Sequence, residues 1–336
     1  MILHPGVLAL VIGSVGVLAM MLYASLLGIK IVRKWDIQSS SPEQLSLERK
    51  TYLISTIINY VMGFEILSAL LFVYTVDDIH PIFIGAMCAT GSLNANPVGW
   101  YVLYAKIAAF FLGAIWIAVN MVDQRAEDYP LVRMKYCMLL AITPFIALDA
   151  YLIWDYFVDL KPNVITSCCG ALFSPEGSGV ASELAALPLK PIMILFYLSV
   201  GLFLVNGVAV VRWDRSFLRY LMGCLAALLF VVAIASIIAF ISLYFYEIPT
   251  HHCPFDILQG GYHFIGYPLY ICLFCGVLLG LLVGIFEPLK KIASLTEVIE
   301  KAQRRWAIIS ITLIAIFTLI CSWPIVFSSF TMADYF

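Results

Sequence analysis

Residues 220–246 read YLMGCLAALLFVVAIASIIAFISLYFY, a run without one charged side chain. About 20 apolar residues in a helix cross the hydrocarbon core of a bilayer. A barrel strand of about 10 alternating residues does not read this way. The two flanks differ in kind. Arg212, Arg215 and Arg219 precede the run; Glu247, His251, His252, Cys253 and Asp256 follow it.

Seven more segments qualify by the same measure: 6–29, 52–76, 100–122, 136–154, 191–211, 264–286 and 306–330. Composition agrees. The chain is 63% hydrophobic and 12% charged, with a mean hydropathy of +0.99. A soluble domain has about 45–50% apolar and about 25% charged residues. This excludes a soluble enzyme, a disordered chain and a nucleic-acid partner. The expected fold is all-α, a polytopic membrane protein of eight transmembrane helices forming one integral domain over 1–336, with the lipid bilayer as its main partner.

The basic residues orient it. Sixteen of the 19 Lys and Arg residues fall in one set of loops, Lys161 and Lys190 in the other, and Lys106 within a span. Positive residues mark the cytoplasmic side. Both termini are therefore expected outside, with the bacterial inner (plasma) membrane as the expected location. Residues 1–5 lack Lys and Arg, and Lys30, Arg33 and Lys34 follow the first run. That is the pattern of a retained span, not a cleaved signal. On the basic side, Ser294 with Glu297 fits a capping box opening a short amphipathic helix. Ser41-Pro42-Glu43-Gln44 has the form of a helix start.

The polar chemistry gathers on the other side. Loops 77–99, 155–190 and 247–262 are long and are expected to form an outer cap. All five histidines lie in or at the edge of this side, as do Cys88, Cys168, Cys169 and Cys253. In an oxidising compartment, four such cysteines are disulfide candidates with three pairings. Bonds from the neighbours Cys168 and Cys169 to Cys88 and Cys253 would staple the three loops. His251, His252 and Cys253 are also candidate metal ligands, for copper or zinc, because imidazole nitrogen and thiolate both bind such ions.

Cys272 and Cys275 form a C-x-x-C pair about 7–12 Å below the outer boundary of the seventh span. Cys253, Cys272 and Cys275 are the candidate catalytic residues of a thiol relay. A histidine neighbour favours the thiolate of Cys253, and thiolate attack on a disulfide passes electrons onward, to a membrane quinone. A haem would sit at the outer edge, since no span has an interior histidine. Cysteines in outer loops and at outer helix ends are similar in layout to membrane thiol-oxidoreductases of the disulfide-forming quinone reductase and vitamin K epoxide reductase kinds. Those have four or five spans, and their paired loop cysteines and quinone-site arginine are not matched here, so no residue role carries over.

Glu65, Lys106 and Asp149 are charges inside spans, and such residues are functional candidates by default. Depth pairs Lys106 with Asp149 and leaves Glu65 without an evident partner. The function expected is a thiol/disulfide redox or electron-transfer component acting at the outer face, alone or with other membrane or outer-face redox subunits. A non-catalytic anchoring subunit and a metal or ion transporter using the intramembrane acids are the alternatives.

Overall fold

A computed structural model describes residues 3–37, 39, 41–162, 164–166, 180–330 and 332. The fold is all-α, and the described residues contain no strand beyond one isolated parallel bridge between Ile84 and Ile165. Among the described residues, eight helices are long and apolar enough to cross a membrane. The chain divides into two compact units.

The first unit holds residues 1–79, 92–164 and 291–298. Its long helices are α1 (Pro5–Lys34), α2 (Pro42–Asp78), α4 (Gly99–Asp123) and α5 (Val132–Asp159); the short α3 (Ala89–Asn94) enters it. α1 packs on α5 and α2, and α4 packs on α2 and α5. The core runs through Met21, Ile58, Met62, Trp116, Tyr136 and Leu139. α2 starts as its sequence implies. Ser41 caps it by accepting the Gln44 amide at 3.2 Å, with Pro42 in the first turn.

The second unit holds residues 80–91, 165–290 and 299–336. Its helices are α6 (Val180–Ala185), α7 (Leu189–Arg212), α8 (Ser216–Ser236), α9 (Ser242–Tyr246), α10 (Gly266–Ile285) and α11 (Thr296–Phe327). α8 packs on α7 and α10. A Cβ added to Gly223 of α8 would stand 3.2 Å from the Gly284 backbone of α10, so only small residues permit this approach. Ser310 of α11 donates to the Gly276 carbonyl of α10 at 2.6 Å.

Two local expectations change. Ser294 does not cap a helix. It lies in a 3-10 turn and donates to Asp128 at 2.9 Å, and α11 opens two residues later and runs without a break through the last apolar run. The expected separate amphipathic helix is thus a 3-10 segment plus the first turns of α11. The 220–246 run is also not one uniform helix. A π-turn at Ile237–Ile241 separates α8 from α9. Single π-turns within helices recur at functional sites, because they free backbone groups and shift the register.

Candidate functional site

The π-turn builds one side of a thiol centre in the second unit. The His252 ring nitrogen Nδ1 donates to the Ile238 carbonyl at 2.8 Å, which ties residues 248–265 onto the turn. Burial pushes the His252 imidazole below its usual value, with the hydrogen bond to Ile238 opposing and the charge of His251 adding to the effect. Through its bond to Ile238, His252 holds the loop in place. Tyr246, at the end of α9, donates its hydroxyl to the Cys253 carbonyl at 2.6 Å and accepts the Ile257 amide at 3.0 Å. Its ring lies edge-on to His251 and to Tyr262, each with centroids 4.8 Å away. Tyr270 of α10 donates to the Pro254 carbonyl at 2.6 Å. Three tyrosine and histidine side chains thus fix the backbone on both sides of Cys253.

The other side comes from residues 80–91. Gly85 takes φ +86°, and a Cβ there would stand 3.0 Å from the Thr166 carbonyl oxygen. Only glycine makes that turn without strain. The Thr166 amide donates to the Ile84 carbonyl at 3.0 Å, and Gln259 donates to the Met87 carbonyl at 2.8 Å. This anchoring delivers Cys88 to Cys253, with 3.5 Å between the two sulfurs. Both cysteines are fully buried. Thr90 Oγ1 lies 3.5 Å from the Cys253 sulfur, and the Phe255 amide donates to that sulfur at 3.4 Å.

Asp256 completes the cluster. The Cys253 thiol donates to Asp256 Oδ1 at 3.5 Å, and His251 Nε2 pairs with Asp256 Oδ2. Burial opposes the Asp256 charge. Hydrogen bonds from His251, Cys88 and Cys253, together with the charge of His251, outweigh it and hold the carboxyl below its usual value. The donor atoms of Cys88, Cys253 and Asp256 all lie within 4.8 Å of one another, a set able to hold a metal ion.

The sequence-derived candidates divide as follows. Cys88 and Cys253 come together, with 3.5 Å between their sulfurs. No disulfide forms among the described residues, because the sulfurs stand well beyond the bonding length of about 2.05 Å. Cys168 and Cys169 lie outside the described residues. Of the expected metal set, His251 is engaged with Asp256 and His252 with Ile238, and the donors gathered around Cys253 are Cys88 and Asp256. Cys272 is buried and Cys275 half-buried, one turn apart on α10.

In the first unit, Lys106 Nζ lies 2.8 Å from Asp149 Oδ2, 3.0 Å from Glu65 Oε2 and 2.8 Å from Ser68 Oγ. All three charged residues are about 99% buried or more. Glu65 therefore has a partner, contrary to the expectation from depth alone. A lysine side chain reaches one helical turn along its own axis, which an estimate by residue number does not include.

Several participants carry no signal in the sequence. Thr90 and Tyr246 are ordinary loop and belt residues by composition. The pairs Lys135–Asp123 at 2.6 Å and Arg219–Glu287 at 3.2 Å are nearly inaccessible, although the sequence marks their cations only as residues of the basic side. No protein-family model, curated protein or solved structure matches the chain.

Proposed function

We propose that this integral membrane protein is a thiol–disulfide redox component in which Cys88 and Cys253 cycle between dithiol and disulfide. The observation that carries this reading is the 3.5 Å approach of two buried sulfurs from separate segments, with a carboxylate on one of them. A staple alone needs the two sulfurs; the Asp256–His251 pair adds an acceptor for the proton that a thiol must lose to react.

The exchange balances as follows. Cys253 gives its proton to Asp256, and its thiolate attacks one sulfur of a partner disulfide. That S–S bond breaks and the first partner thiolate leaves. Cys88 loses its proton and attacks the Cys253 sulfur, which releases the second partner thiolate. Two protons and two electrons end on the partner's two thiols, and the chain keeps a Cys88–Cys253 bond. Access requires residues 248–262 to lift. Left-handed backbone at Glu247 (φ +54°), His263 (φ +55°) and Phe264 (φ +56°) brackets this segment, an arrangement that stores strain at its two hinges.

The basic-residue bias supports placing this centre, and both termini, on the outer side of a bacterial inner membrane. The exchange is placed on Cys88 because its sulfur is the one shown beside Cys253; Cys272 and Cys275 lie one turn apart on α10. The test is the rate of thiol oxidation by a small disulfide, followed by alkylation and mass measurement. Asp256→Asn should slow oxidation of the Cys88–Cys253 pair about tenfold or more while the protein stays folded. An unchanged rate at every pH would overturn the role of Asp256, and a pair that never oxidises would overturn the function.

A second reading rests on the mutual 4.8 Å spacing of the same three donors. In the reduced protein they form a site for Zn²⁺ or Cu⁺. Stoichiometric metal binding that disappears in Cys88→Ser and on oxidation would support it.

A further inference from the structure

We propose that the second unit binds an anionic phospholipid where α7, α8 and α11 meet, with the phosphate in a basic pocket and an acyl chain in the adjoining groove. The pocket has a volume of about 390 Å³, and its charged lining is Arg212, Arg219, Lys301, Arg304, Asp214 and Glu300. Four cations face two acids. The acids are already engaged: Asp214 lies 2.7 Å from Arg219 Nη2, and Glu300 lies 2.9 Å from Lys290. Arg212 and Arg304 have no carboxylate at ion-pair distance among the described residues.

Arg219 supplies the second observation. It is 94% buried by its 6% exposure. Nη1 and Nη2 are taken by Glu287 and Asp214, but Nε finds no acceptor among the described residues. A buried guanidinium donor without an acceptor is costly. A phosphate oxygen in the pocket is the acceptor that the surrounding positive charge favours.

The ligand is a lipid because of what adjoins the pocket. A second cavity of about 390 Å³ is lined by Leu204, Val205, Val208, Ala209 and Trp213, and it shares Arg212 with the first. Val205 and Val208 are exposed on the outward face of α7. Trp213, also exposed, ends the helix, where an interfacial indole belongs. A charged pocket at a helix end that continues into an apolar groove matches a headgroup and its chain. Basic pockets between spans on the positive side hold anionic headgroups in this way. A free phosphate would use the pocket and leave the groove empty.

The experiment uses the full chain in detergent and scores bound lipid by native mass spectrometry, against phosphatidylglycerol, phosphatidylcholine and inorganic phosphate. Wild type should retain phosphatidylglycerol in preference to phosphatidylcholine. Arg212→Gln and Arg304→Gln should each weaken retention about fivefold. Val208→Trp should fill the groove and weaken phosphatidylglycerol binding without changing any effect of inorganic phosphate. Glu300→Gln, which raises the local charge by one, should tighten it and keeps the proposal falsifiable if an arginine variant does not fold. Equal retention of both lipids, or retention unaffected by Arg212→Gln, Arg304→Gln and Glu300→Gln alike, would overturn the proposal. So would stabilisation by inorganic phosphate that matches phosphatidylglycerol and ignores Val208→Trp.

Discussion

Lys106→Met should destabilise the first unit more than any other single change among its buried charges. Lys106 serves two carboxylates at 3.0 and 2.8 Å, and both acids are essentially inaccessible. Removing it strands both negative charges and leaves Ser68 Oγ, 2.8 Å from Nζ, without its partner. Breaking one buried pair costs about 3–5 kcal/mol, and two acids share this cation, so the upper end of that range is expected. Asp149→Asn keeps a one-to-one Lys106–Glu65 pair and should cost about 1.5–3 kcal/mol, the worth of one charged hydrogen bond. Lys106→Met with Asp149→Asn should then lose less than the sum of the singles, and adding Glu65→Gln should recover more. The assay is reversible unfolding in bicelles followed by circular dichroism, arranged as a double-mutant cycle. Losses that add within about 0.5 kcal/mol would show that the groups are energetically independent, and the triad would be an accident of packing.

Four further outcomes follow from the thiol centre. The folded His252 titrates below its unfolded value, so its contribution is fully present above about pH 6.5 and is lost as the pH falls from there through the lower folded value; exchange of the Ile257 amide, which donates to Tyr246, should speed up as the pH falls over that range, and His252→Gln should flatten that response. Asp256 is also held below its unfolded value, so its contribution persists down to about pH 3.8 and is lost only in more acid solution, which separates the two groups in one hydrogen-exchange titration. Gly85→Ala should destabilise residues 80–91 by about 1 kcal/mol or more through the positive φ, read as a drop in oxidation rate of the Cys88–Cys253 pair with little change at α8 and α10. Glu247→Gly relieves the left-handed strain at its hinge and also removes the acceptor of the Ser328 hydroxyl at 2.5 Å; Ser328→Ala in the otherwise wild-type chain removes the bond alone, and Glu247→Gly should destabilise less than Ser328→Ala.

The eight long helices were legible because lipid imposes one rule, a continuous apolar run of spanning length, that composition alone reveals. Residues 220–246 satisfied it and still concealed the π-turn, since nothing in IIAFI distinguishes an i+5 hydrogen bond from an i+4 bond. Helix ends were less legible. Lys34, Asp78 and Asp159 continue their helices past the apolar limit, where water satisfies the backbone and hydropathy has no influence. In the thiol centre, the chemistry of Cys253 was visible from its own neighbours, His251, His252 and Asp256. Its meeting with Cys88, across 165 positions, depends on the turn at Gly85 and the bridge from Ile84 to Ile165, and neither leaves a trace at Cys88 itself. Arg219 and Lys135 counted in the sequence only toward the charge bias; the packed helix ends bury them beside Glu287 and Asp123.

The most direct test of the central claim is a redox titration of the full-length protein, quenched at each potential by alkylation, digested and searched for a peptide joined through Cys88 and Cys253. The account predicts a single two-electron transition in which that linked peptide replaces two alkylated thiols and reverts on reduction. Cys88 and Cys253 remaining separately alkylated at every potential, or linking to other cysteines instead of to each other, would contradict it.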